Sequence, residues 1–344
     1  MDLRMPPVHP GVPSMPRSSG ARAATILGTA AVALGASALW AQAQARRAER
    51  EHTPLGRFLN IDGVHLHYVE RGQGQPLVLL HGLMTLIQDW GTSGVLDRAA
   101  ARYRVIAFDR PGYGYSTRPR DRVWTLAAQA DLLHEALVRL GVEQAVVVGH
   151  SLGTVVALEL ALRHPSSVTA LALLSGYYFP TARVDAPVQA LPAVPVLGDL
   201  MRYTISPLLL RLAWPGLMRV LFGPAPTLPA FDALKGLIAR PEQIRASASE
   251  SALLVPTVAG LQQHYTELKV PVVIAAGAED RYIDTEEQSG RLHHMLPGSG
   301  YRVVPGAGHM MHHTAPDEAM AAIDLVAGRV KQHPTRSQPE LIAG

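Results

Sequence analysis

"VVVGHSLGTV", residues 146–155, joins a run of β-branched residues to a helix-like segment through two glycines that flank a serine. The unbroken valines read as a buried strand, and "LGTVVALELALRHP" (152–165) reads as a helix ended by Pro165. A connection this sharp leaves no room for side chains beside it, which accounts for Gly149 and Gly153. It exposes the Ser151 hydroxyl at the strand end, close to the amides of the helix start. Ser151 is a candidate nucleophile if the chain also supplies a base, an acid and an oxyanion site.

A serine hydroxyl needs a base beside it at neutral pH. "VVPGAGHMMHHTAPDEA" (303–319) offers His309 in a Gly-rich loop after the last strand. His312 and His313 sit deeper toward the following helix, where solvated or capping roles are commoner. The imidazole in turn needs a carboxylate to fix its tautomer. "VVIAAGAEDRYID" (272–284) offers Glu279, Asp280 and Asp284. Asp280 is the choice, because it follows Gly277 by three residues, while Asp284 and Thr285 suit a helix cap. The chain order Ser151, Asp280, His309 suits the strand–turn–helix context. The oxyanion donors expected are the backbone N–H groups of Leu152 and, after "PLVLLHG" (76–82), of Leu83. No metal is expected, since no spacing such as H-E-x-x-H appears. No cofactor is expected either.

Strands and helices alternate through the rest of the body. "VHLHYVE" (64–70) reads as an early antiparallel strand with His65 and His67 as solvated residues on one face. "PLVLLHG", "YRVIAF" (103–108), "QAVVVG" (144–149), "VTALALLSG" (168–176), "VPVVIAAG" (270–277) and "YRVVPG" (301–306) are further strands. Helices are expected over 125–141, 152–165, about 285–296 and 315–332. Apolar strands alternating with helices predict an α/β fold, a mostly parallel sheet covered on both faces. Residues 177–267 break the rhythm, with nine prolines between Pro180 and Pro229. A structureless loop of that length does not suit a compact domain. The segment reads as short helices forming a cap inserted after the sixth strand, with Trp90, Tyr177 and Tyr178 as candidate pocket residues.

Composition narrows the partners. Residues 1–50 hold six arginines against Asp2 and Glu49, while the remainder carries 25 basic and 26 acidic residues. The near-neutral body argues against a nucleic-acid partner. The absence of cysteine excludes thiolate catalysis, thiolate metal sites and disulfides. Ala23 to Ala45 is free of charge and long enough to cross a hydrocarbon core of ~30 Å as a helix. Three readings stay open for it: a single-pass membrane anchor, a secretory signal with A-x-A-like sites at 41–45, and a surface helix. The anchor is the reading adopted, with export after cleavage as its alternative. The organisation expected is a disordered 1–20, a hydrophobic 21–45, a linker 46–56, a core of 57–176 with 268–332, a cap 177–267 and a tail 333–344.

Over about residues 57–332 the chain resembles an α/β-hydrolase-fold serine hydrolase. It is similar to the lidded group of esterases, C–C hydrolases and haloperoxidase-like enzymes, which carry "HG" (His81, Gly82) after the third strand and "FDRPGYGYS" (108–116) after the fourth. In that group the latter segment braces the loops beside the oxyanion hole, and Asp109 is assigned that supporting role only. "SGYYFPTARVD" (175–185), the apolar N-terminal stretch and "RRAER" (46–50) are similar to membrane-attached bacterial members. Relatives that dehalogenate or open epoxides use an Asp nucleophile, and Ser151 disfavours those chemistries. An "HGGG" run is missing, since Leu83, Met84 and Thr85 follow Gly82. The resemblance implies hydrolysis of a small, hydrophobic carboxylic ester. Carbon–carbon bond hydrolysis and peracid formation use the same residues, and a non-catalytic ligand-binding protein is the alternative of a different class.

Overall fold

A computed structural model describes residues 18–182 and 186–332. The N-terminal residues expected to be disordered lie outside the described part up to residue 17, as does the tail from 333. Eight strands, β1 (Arg57–Ile61), β2 (Val64–Arg71), β3 (Pro76–Leu80), β4 (Arg104–Phe108), β5 (Ala145–His150), β6 (Val168–Leu174), β7 (Val272–Gly277) and β8 (Gly300–Val304), form one sheet. Their order is β1-β2-β4-β3-β5-β6-β7-β8. Only the β1–β2 and β2–β4 pairs are antiparallel. Asp62 and Gly63, both at positive φ, make the tight turn between β1 and β2. The central strands are apolar on both sides because helices cover both faces.

The helices are α1 (Ser18–Glu51), α2 (Ile87–Thr92), α3 (Val95–Ala100), α4 (Leu126–Arg139), α5 (Leu152–Arg163), α6 (Ala186–Ala190), α7 (Leu197–Tyr203) and α8 (Ser206–Phe222). They continue as α9 (Pro229–Asp232), α10 (Lys235–Ile238), α11 (Pro241–Leu261), α12 (Arg291–Met295), α13 (Met311–Thr314) and α14 (Pro316–Gln332). α6 to α11 all fall between β6 and β7, so the interruption after the sixth strand is helical. The order reverses between β4-β3 and β5, and a crevice opens there beyond the carboxyl ends of the parallel strands. The loops after β3, β5, β7 and β8 meet at that end.

Two local expectations change. The charged run after Ala45 is not a linker throughout, because α1 continues to Glu51. Arg, Ala and Glu are good helix formers, and Arg47 pairs with Glu51 one turn on at 2.8 Å. His67 is buried rather than solvated, with Nδ1 2.7 Å from Asp109 Oδ2, because the 109–117 loop covers that stretch of β2. His65 is exposed.

Candidate active site

β5 ends at His150, and Ser151 turns the chain with φ 52° and ψ −122°. A non-glycine residue at positive φ is strained, and the packing on both sides holds it there. A side-chain carbon at Gly149 would lie 2.5 Å from the Gly153 carbonyl oxygen. One at Gly153 would collide with the carbonyl oxygen of Leu80. Close approach of backbone, not positive φ, is what requires glycine at both positions.

His309, from the loop after β8, places Nε2 3.0 Å from Ser151 Oγ. Its Nδ1 lies 2.8 Å from Asp280 Oδ2, in the loop after β7. Asp280 Oδ1 accepts the Tyr282 and Ile283 amides at 2.8 and 2.9 Å, so the carboxylate is held on both oxygens. Of the other two acids, Glu279 is exposed, and Asp284 accepts the Glu287 amide as a cap. Tyr282 stands edge-on to the His309 ring at 5.1 Å. His150, adjacent in sequence, directs Nε2 to the His309 carbonyl oxygen at 3.1 Å and so braces the His309 loop.

The loop after β3 is fixed from beneath. Arg110 donates Nε to the His81 carbonyl and Nη2 to that of Gly82, at 3.0 and 2.9 Å. Its backbone N–H donates to His81 Nε2, which places the His81 proton on Nδ1, facing the Gly82 carbonyl. Burial, with the Arg110 charge, pushes His81 down to about 4. Arg110 itself is buried against Glu250 of α11 at 2.9 Å, tying this loop to the insert. Asp109 accepts the Ile87 and Tyr115 amides at 2.8 and 2.9 Å. Gly82 lies against Ser151, where an added carbon would be 3.1 Å from the serine Cβ. Among the described residues, the Leu83 and Leu152 amides have no hydrogen-bond acceptor.

A cavity of about 40 Å³ opens beside Ser151 and His309. Leu83, Met84 and Met310 line one side; α8 contributes Trp214, Leu217, Met218 and Leu221, and α9 and α10 contribute Phe231 and Ile238. The pocket residues expected from sequence are elsewhere. Trp90 is fully buried beneath the loops, with its ring 4.9 Å from that of His312. Tyr177 is buried with its hydroxyl 2.9 Å from Thr181 Oγ1. Tyr178 is buried, and its amide is pinned to Gln288 Oε1 at 2.6 Å. These last two belong to a segment that turns back onto the core instead of arching over the cavity.

A family model for the alpha/beta hydrolase fold matches residues 75–316. The chain belongs to the α/β-hydrolase family. An uncharacterised protein of Mycobacterium tuberculosis is 28% identical over 291 residues, covering 79% of this chain and 80% of its own length. A putative carbamate hydrolase, RutD, of Escherichia coli is 29% identical over 250 residues, 68% of this chain and 87% of that one. The solved structure of a membrane phospholipase A, a bacterial virulence factor, covers 89% of this chain and 98% of its own, with TM-score 0.62 and 24% identity. A thermophilic esterase from Thermogutta terrifontis covers 79% and 97%, with TM-score 0.63 and 21% identity. Related proteins named as hydrolases stand beside one named as an acetyltransferase component, matched over 37% of this chain, and these structures share the fold.

Behind its cavity this α/β hydrolase holds a second polar cluster that sequence reasoning missed. His312 and His313 are buried, not solvated, with Nε2 atoms 3.1 and 2.5 Å from Asp89 Oδ1. Burial opposes charge on Asp89, yet the two histidines outweigh it and hold its carboxyl well below the usual range. Burial pushes His312 and His150 down. Asp89, His150 and His312 each bring one ligand atom within 4.8 Å of the others, but Asp89 and His312 already share a hydrogen bond. Nothing in "LIQDWG" marks Asp89 as their partner.

Proposed function

We propose that this protein is a serine hydrolase acting on a carboxylic ester with a hydrophobic acyl group. The observation that carries the reading is the continuous Ser151–His309–Asp280 chain, at 3.0 and 2.8 Å, facing an apolar cavity. Ser151 Oγ attacks the carbonyl carbon as His309 Nε2 takes its proton, and Asp280 stabilises the imidazolium. The unengaged Leu83 and Leu152 amides donate hydrogen bonds to the developing oxyanion. His309 then protonates the departing alcohol, leaving an acyl group on Ser151. Water, deprotonated by His309, attacks that acyl carbon and releases the acid with Ser151 restored.

An apolar lining favours an uncharged ester with an acyl chain over a substrate that itself carries a carboxylate, since among the described residues no Lys or Arg lines this cavity. A shift of α8 to α10, the helices that line the narrow cavity, would admit a long acyl chain. Residues 177–267 act as a cap in this reading. α1 is the membrane anchor in this reading: its most apolar 18 residues have mean hydropathy 1.6 and none of them is buried. The test is labelling by a serine-directed phosphonate and turnover of a panel of esters of increasing acyl length. Labelling lost in Ser151→Ala, with faster turnover of longer chains, supports the reading. Folded wild-type protein that neither labels nor turns over any ester would overturn it.

A further inference from the structure

α1 has two unlike halves. From Ala23 to Ala33 every residue is exposed. From Leu34 onward a stripe of Leu34, Ser37, Ala41, Ala45 and Ala48 rests on the body at the spacing of one helix face. Ser37 donates its hydroxyl to the Thr204 carbonyl at 2.7 Å, Arg211 lies 5.3 Å over the Trp40 ring, and Glu49 pairs with Arg240 at 3.0 Å. Thr204 links α7 to α8, so α1 is clamped to the corner of the insert.

That clamp sets a depth. The free part, Ala23–Ala33, spans only about 16 Å at 1.5 Å per residue, roughly half of a ~30 Å hydrocarbon core. A crossing that starts after Arg22 needs about 20 residues, and so runs through the stretch already packed on Thr204 and Arg211. The α7–α8 corner must then sit at the same depth. Its outer surface suits that position. Val196, Leu200, Leu209 and Leu212 are 82%, 52%, 54% and 79% exposed, and Ile205 and Leu208 are exposed beside them. α7 and α8, bent 62° apart, are together apolar enough to count as a broken span. A patch of this kind on a water-facing surface is unfavourable. The charges nearby are paired or covered: Arg202 is buried between Asp199 and Glu242, Asp199 also pairs with the exposed Arg120 at 3.0 Å, and Arg211 is laid on Trp40. Arg46 and Arg47, just past the crossing, suit the level of the headgroups.

We propose that the α7–α8 corner is a lipid-bilayer contact surface, sunk to acyl-chain depth beside α1, through which esters carried in the bilayer reach Ser151. α8 makes the connection, with Leu208, Leu209 and Leu212 outside and Trp214, Leu217 and Leu221 lining the cavity. The substrate class is an ester whose acyl chain resides in a membrane. This deepens, and rests on, the ester-hydrolase and anchor readings above.

The chain has no cysteine, so single Cys substitutions can each carry one fluorophore on the full-length protein. Leu212→Cys, Leu209→Cys, Ile26→Cys and Val303→Cys are labelled and reconstituted in phosphatidylcholine–phosphatidylglycerol vesicles containing lipids brominated along the acyl chain. Turnover of a soluble short-chain ester certifies that each variant is folded. Quenching at 26, 209 and 212 of at least twofold, with none at 303, is the expected result. Quenching at 26 without quenching at 209 and 212 overturns the surface and leaves the anchor intact. No quenching at any position overturns both. Energy transfer between labels at 212, without quenching, means that a second copy covers the corner and also overturns it. In a second arm, Leu209→Asp with Leu212→Asp should leave turnover of the soluble ester within twofold of wild type. Turnover of a long-chain ester diluted in vesicles should fall at least tenfold, and an equal effect on both esters would overturn the route. Wild-type protein inactive on both esters would instead sink the hydrolase reading, with the quenching still deciding the surface.

Discussion

Two Asp–His pairs lie side by side beyond the sheet, with His150 between them at ring distances of 5.1 Å from His309 and 4.1 Å from His312. Both are buried and closely hydrogen-bonded: Asp280 with His309 at 2.8 Å, Asp89 with His313 at 2.5 Å and His312 at 3.1 Å. They differ in what stands on the far side of the imidazole. His309 turns its free nitrogen to Ser151 and the cavity. The second nitrogens of His312 and His313, both Nδ1, have no hydrogen-bond partner among the described residues and are sealed from solvent. In the proposed reaction only the first arrangement can act on a substrate, because only it faces a hydroxyl nucleophile and a cavity.

Mutation of each pair should separate these roles. Ser151→Ala or His309→Ala should lower kcat on a soluble ester by about 10⁵–10⁶-fold, since such residues act as a unit. Asp280→Asn should cost about 10⁴-fold, by presenting the wrong tautomer. Steady-state kinetics with matched thermal midpoints check this. If Asp89→Asn matched Asp280→Asn in kcat, the two pairs would have to exchange roles. What is expected of Asp89→Asn is a loss of stability. The amide keeps an oxygen for the two histidines but loses the carboxylate charge that strengthens both hydrogen bonds, at a cost of about 1.5–3 kcal/mol. A lowered thermal midpoint with kcat of the folded enzyme within tenfold of wild type is the corresponding result.

Legibility followed the same division. Ser151, Asp280 and His309 were readable because each follows a strand at a glycine, and the chemistry demands one of each type in that order. The central strands were readable because burial on both faces leaves continuous apolar runs such as "AVVV", whereas β1, "RFLNI", is mostly exposed and was not read as a strand. Asp89 carries no such mark, and its partners His312 and His313 lie 223 and 224 residues away in the chain. Their burial depends on α2 packing beneath the loops, which periodicity does not reveal. The cavity lining was hidden for another reason. α8 is apolar on nearly every side, so Trp214 and Leu217 inside cannot be told by pattern from Leu209 and Leu212 outside.

The histidines kept neutral by burial set an acid limit on stability. His81 is pushed to about 4, and His150 and His312 are also lowered, against about 6.5 in an unfolded chain. The unfolded chain binds more protons between those values, so stability is full above pH ~6.5 and falls as pH drops toward ~4. His81 alone should remove about 2 kcal/mol by pH 5. Asp89, held low, adds a loss in the same direction at still lower pH. Glu159, raised by burial, offsets a part. Unfolding midpoints in denaturant at pH 7.5 and 5 measure the sum, and an unchanged midpoint would mean that these histidines are not held neutral.

The smallest expected effect tests where the cavity ends. Tyr177 looks like a pocket residue from its place after β6, but its hydroxyl lies 2.9 Å from Thr181 Oγ1 and accepts the Thr181 amide at 2.9 Å. Tyr177→Phe removes those bonds while leaving the buried ring in place, so it should cost about 1 kcal/mol. Because the ring is packed in the core cluster with α5 and α11, KM and kcat for short and long acyl esters should stay within twofold of wild type. Trp214→Ala, which enlarges the cavity itself, should change the preference among acyl lengths. A Tyr177→Phe enzyme that shifted that preference as Trp214→Ala does would extend the substrate path to the 175–182 segment. The acyl chain would then run over the core side of the cap rather than along α8.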